Sequence, residues 1–130
     1  MGDKKMNKFY ISLALTFKQD CDVNKIEKLL GLKAYKKIGL KDSKGLQKLA
    51  KIIFKSNEFE GFYSDEIFEK YLIKNLNNFK KIPEILSLYD GECHFSIVIT
   101  SLRDKPCVGL SLKSIKILSN INASYDVDFI

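Results

Sequence analysis

The last twenty-one residues, Leu110 to Ile130, read LSLKSIKILSNINASYDVDFI and constrain the fold more than any other stretch of the chain. Ser111 stands where a helix N-cap belongs, and Leu110 before it is placed to pack on Ile115 as a hydrophobic staple. The helix so opened runs to a break at Asn120-Ile121-Asn122. Beyond the break Ala123, Tyr125, Val127 and Phe129 alternate with Ser124, Asp126 and Asp128, the period of a strand with one apolar face. The chain closes on a helix followed at once by a strand.

The same order occurs near the start. Phe9, Ile11, Leu13, Leu15 and Phe17 share one face of a strand, with Tyr10, Ser12, Ala14 and Thr16 on the other. Asp22 is an N-cap for a helix whose stripe is Val23, Ile26, Leu29 and Leu30, and Gly31 suits its left-handed end. Setting Ile26 on Ile115 aligns Leu29 with Leu118, Leu32 with Ile121 and Ala34 with Ala123, so the chain echoes itself. Residues 33–48 are rich in lysine and glycine and read as a loop with a short extended piece at Tyr35–Ile38.

Leu49–Ser56 fits a helix or a strand; paired Ile52-Ile53, Phe54 and the alternation of Lys51 with Lys55 favour the strand. Glu58–Gly61 reads as a turn. Ser64 caps a helix to about Phe79, with Phe68, Leu72, Leu76 and Phe79 at helical spacing. Pro83 opens a shorter one, closed by Asp90-Gly91. Cys93–Leu102 is the second long apolar strand: Cys93, Phe95, Ile97 and Ile99 lie on one face, His94, Ser96, Val98 and Thr100 on the other. Arg103 to Pro106 reads as a turn and Cys107-Val108 as a short return strand.

Two β-α-β halves interlock most simply as a ferredoxin-like (split β-α-β) antiparallel sheet, each half placing a strand between the two strands of the other. The expectation is a single α+β domain over residues 1–130. Strands 9–17 and 93–102 are adjacent and central, 49–56 and 123–130 form the edges, residues 1–7 are a disordered lead, and 57–90 is a helical insertion between the halves.

At 130 residues, a chain buries enough surface to fold without disulfides or metal. No apolar run reaches the roughly 18 residues of a membrane span. The basic start and the apolar run after it lack a cleavage site, and Met6 breaks the myristoylation pattern and is itself a candidate start. These readings point to a cytoplasmic protein with no membrane partner. Cys21, Cys93 and Cys107 have no metal-ligand spacing. Cys93 and the one histidine, His94, are neighbours on a strand, so they point to opposite faces and form no dyad. No cofactor, metal or catalytic motif is expected.

The net charge is +6, but Arg103 is the sole arginine among 22 basic residues. Bidentate phosphate and base recognition relies on arginine, so nucleic acid is not the expected partner. The distribution says more: residues 1–56 hold 14 lysines against five acids, and residues 57–92 hold four lysines against eight. The chain is basic at the front and acidic in the middle.

The segment GLSLKSIKILSNINASYDVDFI resembles the closing signature of a bacterial family called domain of unknown function 4279, with Ser111, Leu118, Ala123, Ser124, Asp126 and Asp128 as the matching positions. The front half is similar more loosely, and a tryptophan usual on the second strand is absent, Ile53 or Phe54 standing in its place. The resemblance implies a fold and no reaction; a link of such domains to toxin immunity is what it suggests about partners.

Asp126 and Asp128 share a strand face, and with His94, Tyr10 and Ser96 they make the best site for a ligand or partner on the polar face of the sheet. The competing reading is edge protection by charge. Lys36, Lys37, Lys41 and Lys44 form a basic loop that can meet phosphates but lacks the strand-loop-helix context of a phosphate cradle. The reading that follows is a non-enzymatic protein-interaction module, possible immunity-type inhibitors included, with small-ligand or nucleic-acid binding on the polar face as the alternative.

Overall fold

Two eleven-residue strands, β1 (Asn7–Phe17) and β5 (Gly91–Ser101), pair antiparallel at the middle of one sheet in the computed structural model, which describes residues 6–46, 48–61, 64–101 and 109–130. Every inward residue read from the sequence for these two strands is in the core: Phe9, Ile11, Leu13, Leu15 and Phe17 from β1, and Cys93, Phe95, Ile97 and Ile99 from β5. The strand at β1 already includes Asn7, which is buried, so the seven-residue lead is corrected there. The turn at 103–106 and return strand at 107–108 lie outside the described residues.

From β1 the chain enters α1 (Val23–Leu30). Asp22 Oδ1 accepts from the backbone N–H of Asn24 and Lys25 at 3.0 and 3.2 Å, and Gly31 ends the helix at φ +71°, a conformation in which a Cβ is strained. Ile26 and Leu30 are buried, whereas Leu29 is 44% exposed; a helix of two turns seats only one narrow stripe. Next come β2 (Lys36–Ile38), a 3-10 turn (Leu40–Asp42) and β3 (Ala50–Lys55). The residues expected to turn at 58–61 instead form β4 (Phe59–Gly61). β3 covers only Ser12–Phe17 of β1, which leaves Asn7–Phe9 for β4 to pair.

The helix expected over 64–79 is broken into α2 (Ser64–Lys74) and α3 (Leu76–Phe79). At the break the Asn75 amide donates to the Tyr71 carbonyl at 2.9 Å, the local competition that makes asparagine a poor helix interior. Leu76 is therefore exposed while Phe79 reaches the core. Pro83 sits in the first turn of α4 (Ile82–Tyr89), which Asp90 ends at φ +51°. After β5 the closing unit is α5 (Leu112–Asn120) and β6 (Ala123–Phe129). The Ser111 hydroxyl caps α5 by accepting from the Ser114 N–H at 3.1 Å. Leu110 packs on the core, while Ile115, its expected staple partner, is 48% exposed. Phe129, expected inward, is also exposed.

The sheet order is β2-β3-β1-β5-β6, with β4 beside β1. β3 is antiparallel to both β1 and β2, and β6 is parallel to β5. The expected interleaving is corrected: the 49–56 strand lies beside β1, not β5, and the 123–130 strand lies beside β5. Two crossovers each straddle one strand. β1-α1-β2 straddles β3, and β3 through α2, α3 and α4 to β5 straddles β1. Helices 64–89 are thus a crossover rather than an insertion, and α5-β6 is the appended unit. Its short connection at Ile121-Asn122 returns the chain only as far as the neighbouring position. Crossovers of one hand in these directions place all helices on one face, and their buried residues join a single core against that face. The other face carries no helix among the described residues.

Candidate functional site on the bare sheet face

Parity decides what the bare face displays. Once Phe95 and Ile97 point to the helices, His94, Ser96, Val98 and Thr100 must point away. The register then lines up rows across the strands: Lys36, Ile53, Ala14, His94 and Ser124; Lys55, Ser12, Ser96 and Asp126; Tyr10, Val98 and Asp128; Ile38, Lys51, Thr16 and Glu92. All five predicted site residues, Tyr10, His94, Ser96, Asp126 and Asp128, are therefore on this face.

They are not all together. Asp126 Oδ1 accepts from the Ser96 hydroxyl at 2.5 Å and lies 3.0 Å from His94 Nε2. His94 Nδ1 in turn lies 2.5 Å from the Ser124 hydroxyl, which is 3.3 Å from the Cys93 carbonyl. Asp128 belongs to the next row, exposed and outside this network. Tyr10 is occupied by Lys55, whose ammonium is 4.3 Å from the ring centroid and 5.2 Å from that of Tyr35. Ser124 is the member that sequence reasoning missed, although it stands two residues before Asp126 and so shares its face.

The imidazole bridges the two, with its Nε2 toward the Asp126 carboxylate and its Nδ1 toward the Ser124 hydroxyl. That is the hydrogen-bond order of a serine-histidine-aspartate triad, but here it lies flush with the sheet. His94 and Asp126 side chains are 39% and 49% exposed. A cavity of about 540 Å³ touches Ser124, between Pro83, Leu86, Gly91 and Asn122, and neither His94 nor Asp126 lines it. The Ser124 proton also has a competing acceptor in the Cys93 carbonyl. The network ties β5 to β6 across this half of the face through side chains as well as backbone.

Hydrogen bonding from Ser96, and then from His94, holds the Asp126 carboxyl below its ordinary range. A carboxylate stabilised this way contributes fully above the unfolded value near ~3.9 and loses its contribution as pH falls through the lower folded value. Asp126→Asn is expected to cost less than about 1 kcal/mol at neutral pH, since the group is half exposed. Urea unfolding at pH 6 and pH 3 checks this: the gap between wild type and variant narrows at the acid end. A gap unchanged there would show that charge on Asp126 does not matter.

Other candidates resolve differently. Burial pushes the Cys93 thiol up to about 12, leaving it unreactive in the core. Among the described residues no group of three or more His, Cys, Asp or Glu side chains is placed to hold a metal ion. Of the basic loop, Lys37 turns to the helix side and pairs with Glu27 at 2.9 Å and Asn24 at 2.7 Å. Lys41 is exposed on the 3-10 turn, while Lys36 and Lys44 border a separate cleft with Lys51. No helix of the described residues is long and apolar enough to cross a membrane. No family model, curated protein or solved structure matches the chain.

Proposed function

We propose that this chain is a non-enzymatic protein-interaction module that docks through the bare face of its sheet. The observation that carries the reading is the charge layout of that face. Lys36, Lys51 and Lys55 flank it on the β2-β3 side, and Asp126, Asp128 and Glu92 on the β5-β6 side. Tyr10, Ala14, Ile53 and Val98 lie between. Five strands ~4.8 Å apart span about 20 Å, so seven residues of strand give a projected area on the order of 500 Å². That suits a modest protein interface rather than an enclosed small-molecule site. The polar network around His94 is 39–49% exposed on an open strand face, which supports contact with a partner.

The overall basic charge does not limit the partner to an acidic protein, because the face offers both signs and its partner needs an acidic strip and a basic strip. Nucleic acid is a weaker reading of the same face: Lys55 already covers the Tyr10 ring, which base stacking would need free. The two straddling crossovers support a ferredoxin-like description with α5-β6 added. The likeness of the closing segment to domain of unknown function 4279 makes an immunity-type inhibitor the form of this reading to test first. Free Cys21 and Cys93 go with a reducing, cytoplasmic setting.

A photo-crosslinking residue at Ala14, in the middle of the face, tests the reading against one at Leu112 on the exposed helix side. Expected is one host protein joined from Ala14 only, and lost when Lys36, Lys55, Asp126 and Asp128 are reversed in charge. Crosslinks from Leu112 alone, or to a second copy of the chain, would sink it.

A further inference from the structure

The lysine-rich stretch after β2 is a loop by sequence but encloses a cleft in three dimensions. β2 and β3 pair with Ile38 opposite Lys51 and Lys36 opposite Ile53. The 3-10 turn then folds back, and the Ser43 hydroxyl accepts the Leu49 N–H at 3.1 Å, which draws the loop closed. A cavity of about 480 Å³ remains, lined by Lys36, Lys37, Ile38, Asp42, Ser43, Lys44, Leu49 and Lys51. It lies at the β2 edge of the sheet, at the opposite end of the strand order from the His94 network.

Its charge is unbalanced. Lys37 is committed to Glu27, but Lys36, Lys44 and Lys51 have no ion-pair or hydrogen-bond partner among the described residues. Asp42 is the one acid in the lining. Three lysines without a partner thus line one space against a single acid, and an anion placed there balances their charge. Lysine binds phosphate as a point charge, without the fixed fork that a carboxylate pair needs. Ile38 and Leu49 supply an apolar wall, and Asp42 an acceptor. The volume falls within the range of small-molecule sites.

We propose that this cleft binds a nucleoside phosphate. The phosphate sits among Lys36, Lys44 and Lys51, the base rests on Ile38 and Leu49, and Asp42 accepts from a sugar hydroxyl or base amino group. This site shares Lys36, Ile38 and Lys51 with the β2-β3 flank of the docking face, while Ser43, Lys44 and Leu49 come from the loop; a small ligand can occupy it whether or not that face binds a protein.

The test is a methyl-resolved NMR titration of the full chain with AMP, ribose 5-phosphate, adenosine and inorganic phosphate. Expected are saturable movements of the Ile38 and Leu49 methyl signals with AMP, weaker ones with ribose 5-phosphate, and at least a tenfold loss of affinity in Lys36→Gln/Lys51→Gln. Both lysines are on the surface, and a melting curve of the variant confirms that it folds. The control pair Lys25→Gln/Lys28→Gln on α1 should bind as wild type. No movement with any probe up to about 10 mM overturns the proposal. So does an equal loss in the control pair, which would mean diffuse charge. AMP binding no tighter than inorganic phosphate overturns the nucleoside assignment, and tighter binding of a short oligoribonucleotide overturns the small-molecule one.

Discussion

Phe95→Ala is expected to cost about 3–5 kcal/mol and to lower the midpoint of thermal unfolding by roughly 10–25 °C. Phe95 is fully buried on β5 and stands edge-on to two rings, Phe68 of α2 at 5.8 Å and Phe79 of α3 at 5.4 Å. Phe68 also meets Tyr125 of β6 at 5.3 Å. One side chain thus joins the middle crossover to the central strand and, through Phe68, to the appended one. Total stabilities of domains are only about 5–15 kcal/mol, so the variant should be partly unfolded at physiological temperature. Urea unfolding of Phe95→Ala beside Phe95→Leu checks it; a loss below about 1 kcal/mol would mean that these helices are not seated on β5 as described.

Gly91→Ala should be the costliest glycine-to-alanine change among the described residues, about 1–3 kcal/mol. A Cβ at Gly91 would lie 2.5 and 2.7 Å from Phe17 ring carbons and 3.0 Å from a Leu86 methyl. Phe17 has no room to yield, since it is fully buried and meets Tyr89 edge-on at 6.0 Å. Glycine here is a matter of close approach rather than of backbone angle. Phe17→Leu should recover part of the loss, and a double-mutant cycle measures that coupling. Strict additivity of the two changes would contradict the contact.

The division of the sheet into two faces was legible because alternation is a local signal. Nine inward residues of β1 and β5 followed from parity alone, and with them the outward placement of Tyr10, His94, Ser96, Asp126 and Asp128. The caps at Asp22, Gly31 and Ser111 were legible for the same reason, since each satisfies backbone groups within four residues of itself. Strand neighbours were not. Whether 49–56 lies beside β1 or β5 depends on where β2 and the helical crossover settle, and both choices bury the same side chains. β4 was hidden because its pairing exists only where β3 stops short of covering β1. Lys37 read as part of a basic loop until its position opposite Ile52 turned it toward Glu27. Ser124 needed the β5-β6 register before its hydroxyl could be matched to His94.

In the docking role proposed above, the two-signed face also separates the speed of an encounter from its duration. Charge laid out as a basic flank and an acidic flank exerts a torque on an approaching partner, turning it into register before contact. Lys36, Lys55, Asp126 and Asp128 thus belong to the rate of arrival, which falls as salt shortens the Debye length to about 8 Å at physiological ionic strength. Tyr10, Ala14 and Ile53, between the flanks, make contact only after docking and so set how long a complex lasts. One side of one sheet holds both controls, on different residues, and each can be altered without the other.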